Sequence, residues 1–136
     1  MPLLSRQTLL PAGVPFSVRD VTSRDPVGSA SKDLKIIFVV SGWGEISVAK
    51  QTVPLTQGAV LTVPPGLECC RVPSGRTRII AVYAQPDFAA DHIRWVRTRH
   101  PLVHQIRDAL LAGAVLQQLQ LPTSTMATLT PLLVRL

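Results

Sequence analysis

The sequence predicts a mainly β fold, a sandwich or barrel of short strands, followed by C-terminal α-helices. Short apolar runs recur up to Pro86, each bounded by Gly, Pro, Ser or Asp, which is the pattern of strands and turns. Twelve prolines and eight glycines among 136 residues supply that punctuation. Beyond Pro86 the apolar residues fall three and four apart, the period of a helix. With 46% hydrophobic and 16% charged residues, the chain suits one folded domain with its own core.

Residues 1–13 hold Leu3, Leu4, Leu9 and Leu10 among Pro2, Pro11 and Gly13. The leucines need burial while the prolines discourage a regular element, so an arm on the domain surface or a frayed terminus is expected. Residues 14–21 are expected as a first strand, with Phe16 and Val18 on one face and the charged Arg19 nearby. The polar stretch 22–33 is expected as a loop. KIIFVV, residues 35–40, is the strongest strand signal, β-branched and aromatic and too short for a buried helix. Ser41-Gly42-Trp43-Gly44 breaks it as a tight reversal, with 45–48 as its hairpin partner. Turns at 49–51 and 56–58 flank a strand over 52–55, and Ala59–Val63 is the next strand. Pro64-Pro65-Gly66 then turns the chain into 67–72, and Pro73-Ser74-Gly75 turns it into Thr77–Ala84.

After Pro86, Asp87 is the N-cap candidate for a segment over 88–97 with Ile93 and Val96 at helical spacing. A clearer helix is expected over 101–119. Proline suits its first turn, Leu102, Val103, Ile106 and Leu110 form one stripe, and Gly113 is a weak point. Residues 120–128 have the composition of a linker. The final LLVRL is too short to be a stable helix by itself, so it either docks on the preceding helix or begins one that continues in a longer protein; the second is preferred. The expected units are an arm (1–13), a barrel (14–85), a helical segment suited to dimerisation (86–119), and a linker with the start of a truncated helix (120–136).

A net charge of +6 invites a nucleic-acid reading. The basic residues are scattered, however, and the densest group, Arg94, Arg97 and Arg99 with His92 and His100, lies outside the strand-rich part. Without interleaved aromatics or a helix-turn-helix pattern, a solvated face is favoured over DNA contact. Cys69 and Cys70 are the only cysteines. Neighbours on a strand point to opposite faces, so they give no disulfide framework, and a reducing, cytoplasmic location is expected. No apolar stretch reaches membrane-spanning length, and the N-terminus lacks the charged lead of a signal peptide.

The stretch GAVLTVPPGLEC, residues 58–69, carries the most specific pattern. Gly58, five residues, Pro64-Pro65-Gly66, two residues and Cys69 resembles the second motif of the cupins, G-x5-P-x-G-x2-H, with cysteine in place of histidine. The first cupin motif ends E-x6-G, and Lys35, followed by six residues and Gly42, stands where that glutamate would be. The positions of the family's H-x-H pair fall near Ser29 and Ser31. A cupin metal needs imidazole and carboxylate ligands, and a lysine repels a cation. Cys69 alone cannot hold a metal. His100 and His104 lie four apart on one helix face, but surface or capping roles are preferred for them and for His92. No metal and no cofactor are expected.

The run from Phe38 to Val72, followed by a last strand and two helices, resembles the N-terminal sensory domain of AraC-type transcriptional regulators. The resemblance implies a cupin-like double-stranded β-helix, or jelly-roll barrel, that binds a small effector and forms a homodimer. It also implies contact with DNA only through a domain absent from this chain, no enzyme activity and no membrane partner. Under it, Cys69 points into the barrel, Arg71 follows by strand alternation, and Lys35 brings Ile37 and Val39. On the last strand the inward set is Ile79, Ala81 and Tyr83 or else Arg78, Ile80 and Val82; the first is preferred because it combines apolar bulk, a small residue and a phenol. These eight residues are the candidate ligand site, and Leu102, Val103, Ile106 and Leu110 are the candidate dimer surface. Two cations near one cavity call for an anionic or carbonyl-rich ligand or a pairing carboxylate such as Glu45 or Glu68. The competing reading has their heads reaching water at the barrel mouth. The alternatives to a sensor are a metal-free cupin enzyme using Lys35, Tyr83 or Cys69, and a scaffold that only dimerises.

Overall fold

The computed structural model describes residues 4–6, 15–30, 32–96, 100–111 and 113–135. Among them, two five-stranded sheets face one another and helices cover one of the two. The first sheet has the order β1 (Leu4–Arg6), β3 (Val27–Ala30), β8 (Glu68–Pro73), β5 (Gly44–Val48), β6 (Gln51–Leu55). The second has the order β10 (Gln117–Gln120), β7 (Ala59–Val63), β4 (Leu34–Ser41), β9 (Thr77–Ala84), β2 (Phe16–Ser23). All pairs are antiparallel except β1 with β3. This is the mainly β fold of two facing sheets followed by C-terminal helices that the sequence predicts.

The burial pattern explains why some strands alternate and others do not. The first sheet leaves its outer face in water, so β5 and β8 alternate buried and exposed residues. The second sheet is covered on both faces. Its inner side joins a cluster with Ile37, Val39, Leu61 and Ile79, and its outer side joins Ile36, Phe38, Val60 and Ile80 to the helices. IIFVV, residues 36–40, is therefore apolar throughout, and Ile37 and Val39 are fully buried, each contributing about 1.5–3 kcal/mol by leaving water.

Several expectations are corrected by the topology. Residues 41–44 do not close a hairpin: β4 lies in one sheet and β5 in the other, where it pairs with β6 and β8. The turns at 56–58, 64–67 and 74–76 likewise carry the chain across the barrel, and of these strands only β5 and β6 form a hairpin. Turn residues specify a reversal without specifying which sheet receives the next strand. The expected loop 22–33 contains β3, whose short polar sequence hides its pairing with β8. The first strand runs Phe16–Ser23; Val14 and most of the expected arm lie outside the described residues, and Leu4–Arg6 pairs with β3.

The helical part also differs. Helix α1 (Pro86–Ile93) has Gln85 at its N-cap and Pro86 in its first turn, with Asp87 inside that turn. Helix α2 (Pro101–Ala109) ends well before residue 119, and Gly113 takes a φ of +74° in the turn that follows. Residues 117–120 are strand β10 on the edge beside β7, so the segment 86–119 is not helical throughout. The expected linker is helix α3 (Thr123–Val134), which contains Pro131 and docks Met126 and Leu133 on the outer cluster.

Candidate functional site

The inner face of the second sheet is a grid set by strand register. Across β7, β4, β9 and β2 the rows run Val63, Lys35, Tyr83, Ser17, then Leu61, Ile37, Ala81, Arg19; a third row brings Val39, Ile79 and Val21 together. Facing it, β8 presents Cys69 and Arg71, paired with Val48 and Ile46 of β5. All eight predicted site residues are buried, and Ile37, Val39, Cys69, Ile79, Ala81 and Tyr83 share the inner cluster. On the last strand the inward set is Ile79, Ala81 and Tyr83, while Ile80 and Val82 join the helix-covered side.

Polar groups collect at one end of this grid. Lys35 is 9% exposed and Arg71 8%. The Lys35 ammonium stands 5.5 Å from the centre of the Tyr83 ring, and the Arg19 guanidinium stands 5.9 Å from it. Burial pushes the Arg71 guanidinium below its ordinary range, against the opposing pull of Cys69 and Tyr83. Burial also pushes the Cys69 thiol up, outweighing the cations Lys35 and Arg71, so the thiol is protonated and poorly nucleophilic at neutral pH.

Neither buried cation pairs with a carboxylate among the described residues; the ion pairs there are Arg78 with Asp20 and Arg94 with Asp91. Glu45 and Glu68, the expected partners, are exposed. Asp33, two residues ahead of Lys35, is buried and engaged in contacts of its own.

Sequence reasoning missed Ser17 and Arg19. The Ser17 hydroxyl oxygen is buried and has no hydrogen-bond partner among the described residues. The alternation of β2 separates Phe16 and Val18 from Ser17 and Arg19, but the apolar pair faces the helices: Val18 joins the outer cluster and Phe16 stacks on Phe88 at 5.8 Å. Taking the apolar side of an edge strand as the barrel side would have excluded the residues that face the site.

Of the positions that resemble the cupin metal ligands, Lys35 on β4 and Cys69 on β8 lie on facing sheets. Ser29 pairs in register with Cys69, while Ser31 lies outside the described residues. Among the described residues no three His, Cys, Asp or Glu side chains form a group. The histidines lie in or beside the helices, away from this grid. His92 hydrogen-bonds the Phe88 carbonyl at 2.9 Å, and His100 caps α2 by accepting from the Leu102 amide at 3.1 Å. His100 is the N-cap of α2, and His104 is an exposed residue inside it.

The stripe proposed for dimerisation turns inward. Val103 is buried, Leu102 packs on the outer cluster, Leu110 on a cluster with Leu34, Ala89 and Ala109, and Ile106 on both. Gln105 anchors the same face through a buried 3.0 Å hydrogen bond that its side-chain carbonyl accepts from Thr62 of β7. The stripe thus covers the chain's own sheet. In the basic group noted above, Arg94 pairs with Asp91, and Arg97 and Arg99 lie outside the described residues.

No family model and no curated protein matches this sequence. Solved structures do match in fold. Apo ToxT K231A from Vibrio cholerae superposes with a TM-score of 0.62 over 91% of this chain and 48% of that one, at 9% identity. The conserved protein of unknown function SPY1581 from Streptococcus pyogenes gives 0.51 over 61% and 81%, at 14% identity. An RmlC-like cupin from Shewanella frigidimarina gives 0.48 over 52% and 67%, at 18% identity. The chain spans about half the length of the ToxT chain.

Proposed function

We propose that this chain is the effector-binding domain of an AraC-type transcriptional regulator, a non-enzymatic sensor that takes an anionic small molecule inside its barrel. The observation that carries the reading is the burial of Lys35 and Arg71 without a carboxylate partner among the described residues. Two buried cations raise the free energy of the empty fold, and an anion between them offsets that cost. Arg71 lies on β8, which pairs with β3, and β3 with the N-terminal strand β1, so occupancy has a short path to a segment at the edge of the sheet. A ligand shifts such a segment only by binding its two arrangements differently. ToxT, an AraC-type regulator, shares the fold across both the barrel and the helices. DNA contact belongs in this proposal to a separate domain of the longer protein, and the domain acts as a homodimer.

Calorimetric titration with a panel of small carboxylates tests the binding half. Arg71→Ala should weaken the best ligand by about 1.5–3 kcal/mol, the range of a charge-assisted hydrogen bond. Unchanged affinity would remove Arg71 from the site. The regulatory half fails if the full-length gene product carries no DNA-binding domain. A metal-free enzyme using Cys69 is the competing reading, and its buried thiol argues against it.

A further inference from the structure

The sensor reading leaves the chemistry of the ligand open, and the missed residues narrow it. Three cations, Arg19, Lys35 and Arg71, surround Tyr83: two stand near its ring, and the third interacts with it electrostatically. Lys35 and Arg71 are buried, while Arg19, on the edge strand β2, is exposed.

The cations are also divided in space. Lys35 and Arg19 sit on strands that flank β9 on either side, so their backbones are roughly 10 Å apart by the spacing of sheet strands. Beside Arg19, the Ser17 hydroxyl is directly opposite Tyr83, buried and without a hydrogen-bond partner among the described residues. A buried hydroxyl that bonds to nothing is costly in an empty site and is satisfied when a ligand supplies an acceptor.

Resting on the sensor reading, we infer that the effector is a short organic diacid that spans Tyr83. Lys35 and Arg71 hold one carboxylate, and Arg19 with the Ser17 hydroxyl meets the other. The Tyr83 ring and the apolar third row, with Val39, Ile79 and Val21, face the carbon chain. This adds Ser17 and Arg19 to the site as residues that set specificity, while Lys35 and Arg71 set the affinity for any anion.

The test is calorimetric titration of the folded domain with succinate, butyrate, inorganic phosphate and a panel of neutral metabolites, repeated for Ser17→Ala, Arg19→Gln and Arg19→Lys. Circular dichroism checks that each variant folds; Arg19 is exposed on an edge strand, so its replacement leaves the core intact. Succinate should bind about ten- to a hundredfold more tightly than butyrate, the worth of one further charge-assisted contact. Arg19→Gln should erase that preference by weakening succinate far more than butyrate, Ser17→Ala should reduce it, and Arg19→Lys should restore part of it. Equal binding of succinate and butyrate overturns the inference, as does phosphate binding as tightly as succinate, or a preference untouched by Arg19→Gln. Binding of a neutral ligand alone overturns the diacid and leaves a sensor without its anion, whereas failure of every probe to bind overturns both.

Discussion

Ser17 and Cys69 show how single residues trade stability for a site. An unpartnered hydroxyl in a buried position costs free energy, so Ser17→Ala should raise the stability of the ligand-free domain by about 1 kcal/mol, read as a higher midpoint in thermal or urea unfolding. A fall in stability would mean the hydroxyl is satisfied in solution. Cys69 carries the opposite lesson. Its folded thiol holds its proton more tightly than the unfolded one, so its contribution is complete below the unfolded value and is lost as pH rises through the higher folded value. Above about pH 8.5 the unfolding midpoint of the native chain should therefore fall more steeply than that of Cys69→Ala. A thiol reagent at neutral pH should label the exposed Cys70 quickly and Cys69 slowly, and a fast phase that survives Cys70→Ser would contradict the burial of Cys69.

Two contacts join the barrel to the segment that follows it, at the scale of elements. Gly58 adopts a φ of +89°, donates its amide to the Val39 carbonyl at 2.9 Å and accepts from the Leu121 amide at 2.8 Å. A Cβ there would stand 2.6 Å from the Leu121 carbonyl oxygen, so Gly58→Ala should cost about 1–3 kcal/mol in backbone strain and loosen β10 from β7, visible as faster amide exchange in residues 117–121. Thr62→Val removes the donor to Gln105 and leaves a buried carbonyl unmet, an expected loss of about 1–3 kcal/mol on chemical denaturation. The strands that hold Lys35 and Tyr83 were legible in the sequence because continuous β-branched runs leave few other choices. β10 was not, since Gln117–Gln120 has no strand pattern of its own and is held by its neighbour β7. Extending α2 to residue 119 followed from counting apolar spacing across Gly113, whose positive φ lies in the turn where the chain reverses.

For the whole molecule, the second sheet is covered twice, by the facing sheet and by the helices, and this decides which surface remains for a partner. The stripe of Leu102, Val103, Ile106 and Leu110 is used inside the chain, so a homodimer must use another face. Helix α3 offers exposed Leu132 and Val134. If they form the contact, Leu132→Asp should shift the domain to monomer in sedimentation at concentrations where the native chain is dimeric, and an unchanged dimer would exclude this face. The sequence by itself determined the mainly β fold and its Gly58 and Gly66 corners, because glycine at positive φ and strand alternation are local properties, while the inward placement of Lys35, Cys69 and Arg71 was legible only through the resemblance. Only the tertiary structure decided which sheet each turn feeds, which side of β2 faces the site, and that the stripe on α2 is spent within the chain. Those outcomes depend on what packs against each face, and residues distant in sequence supply it.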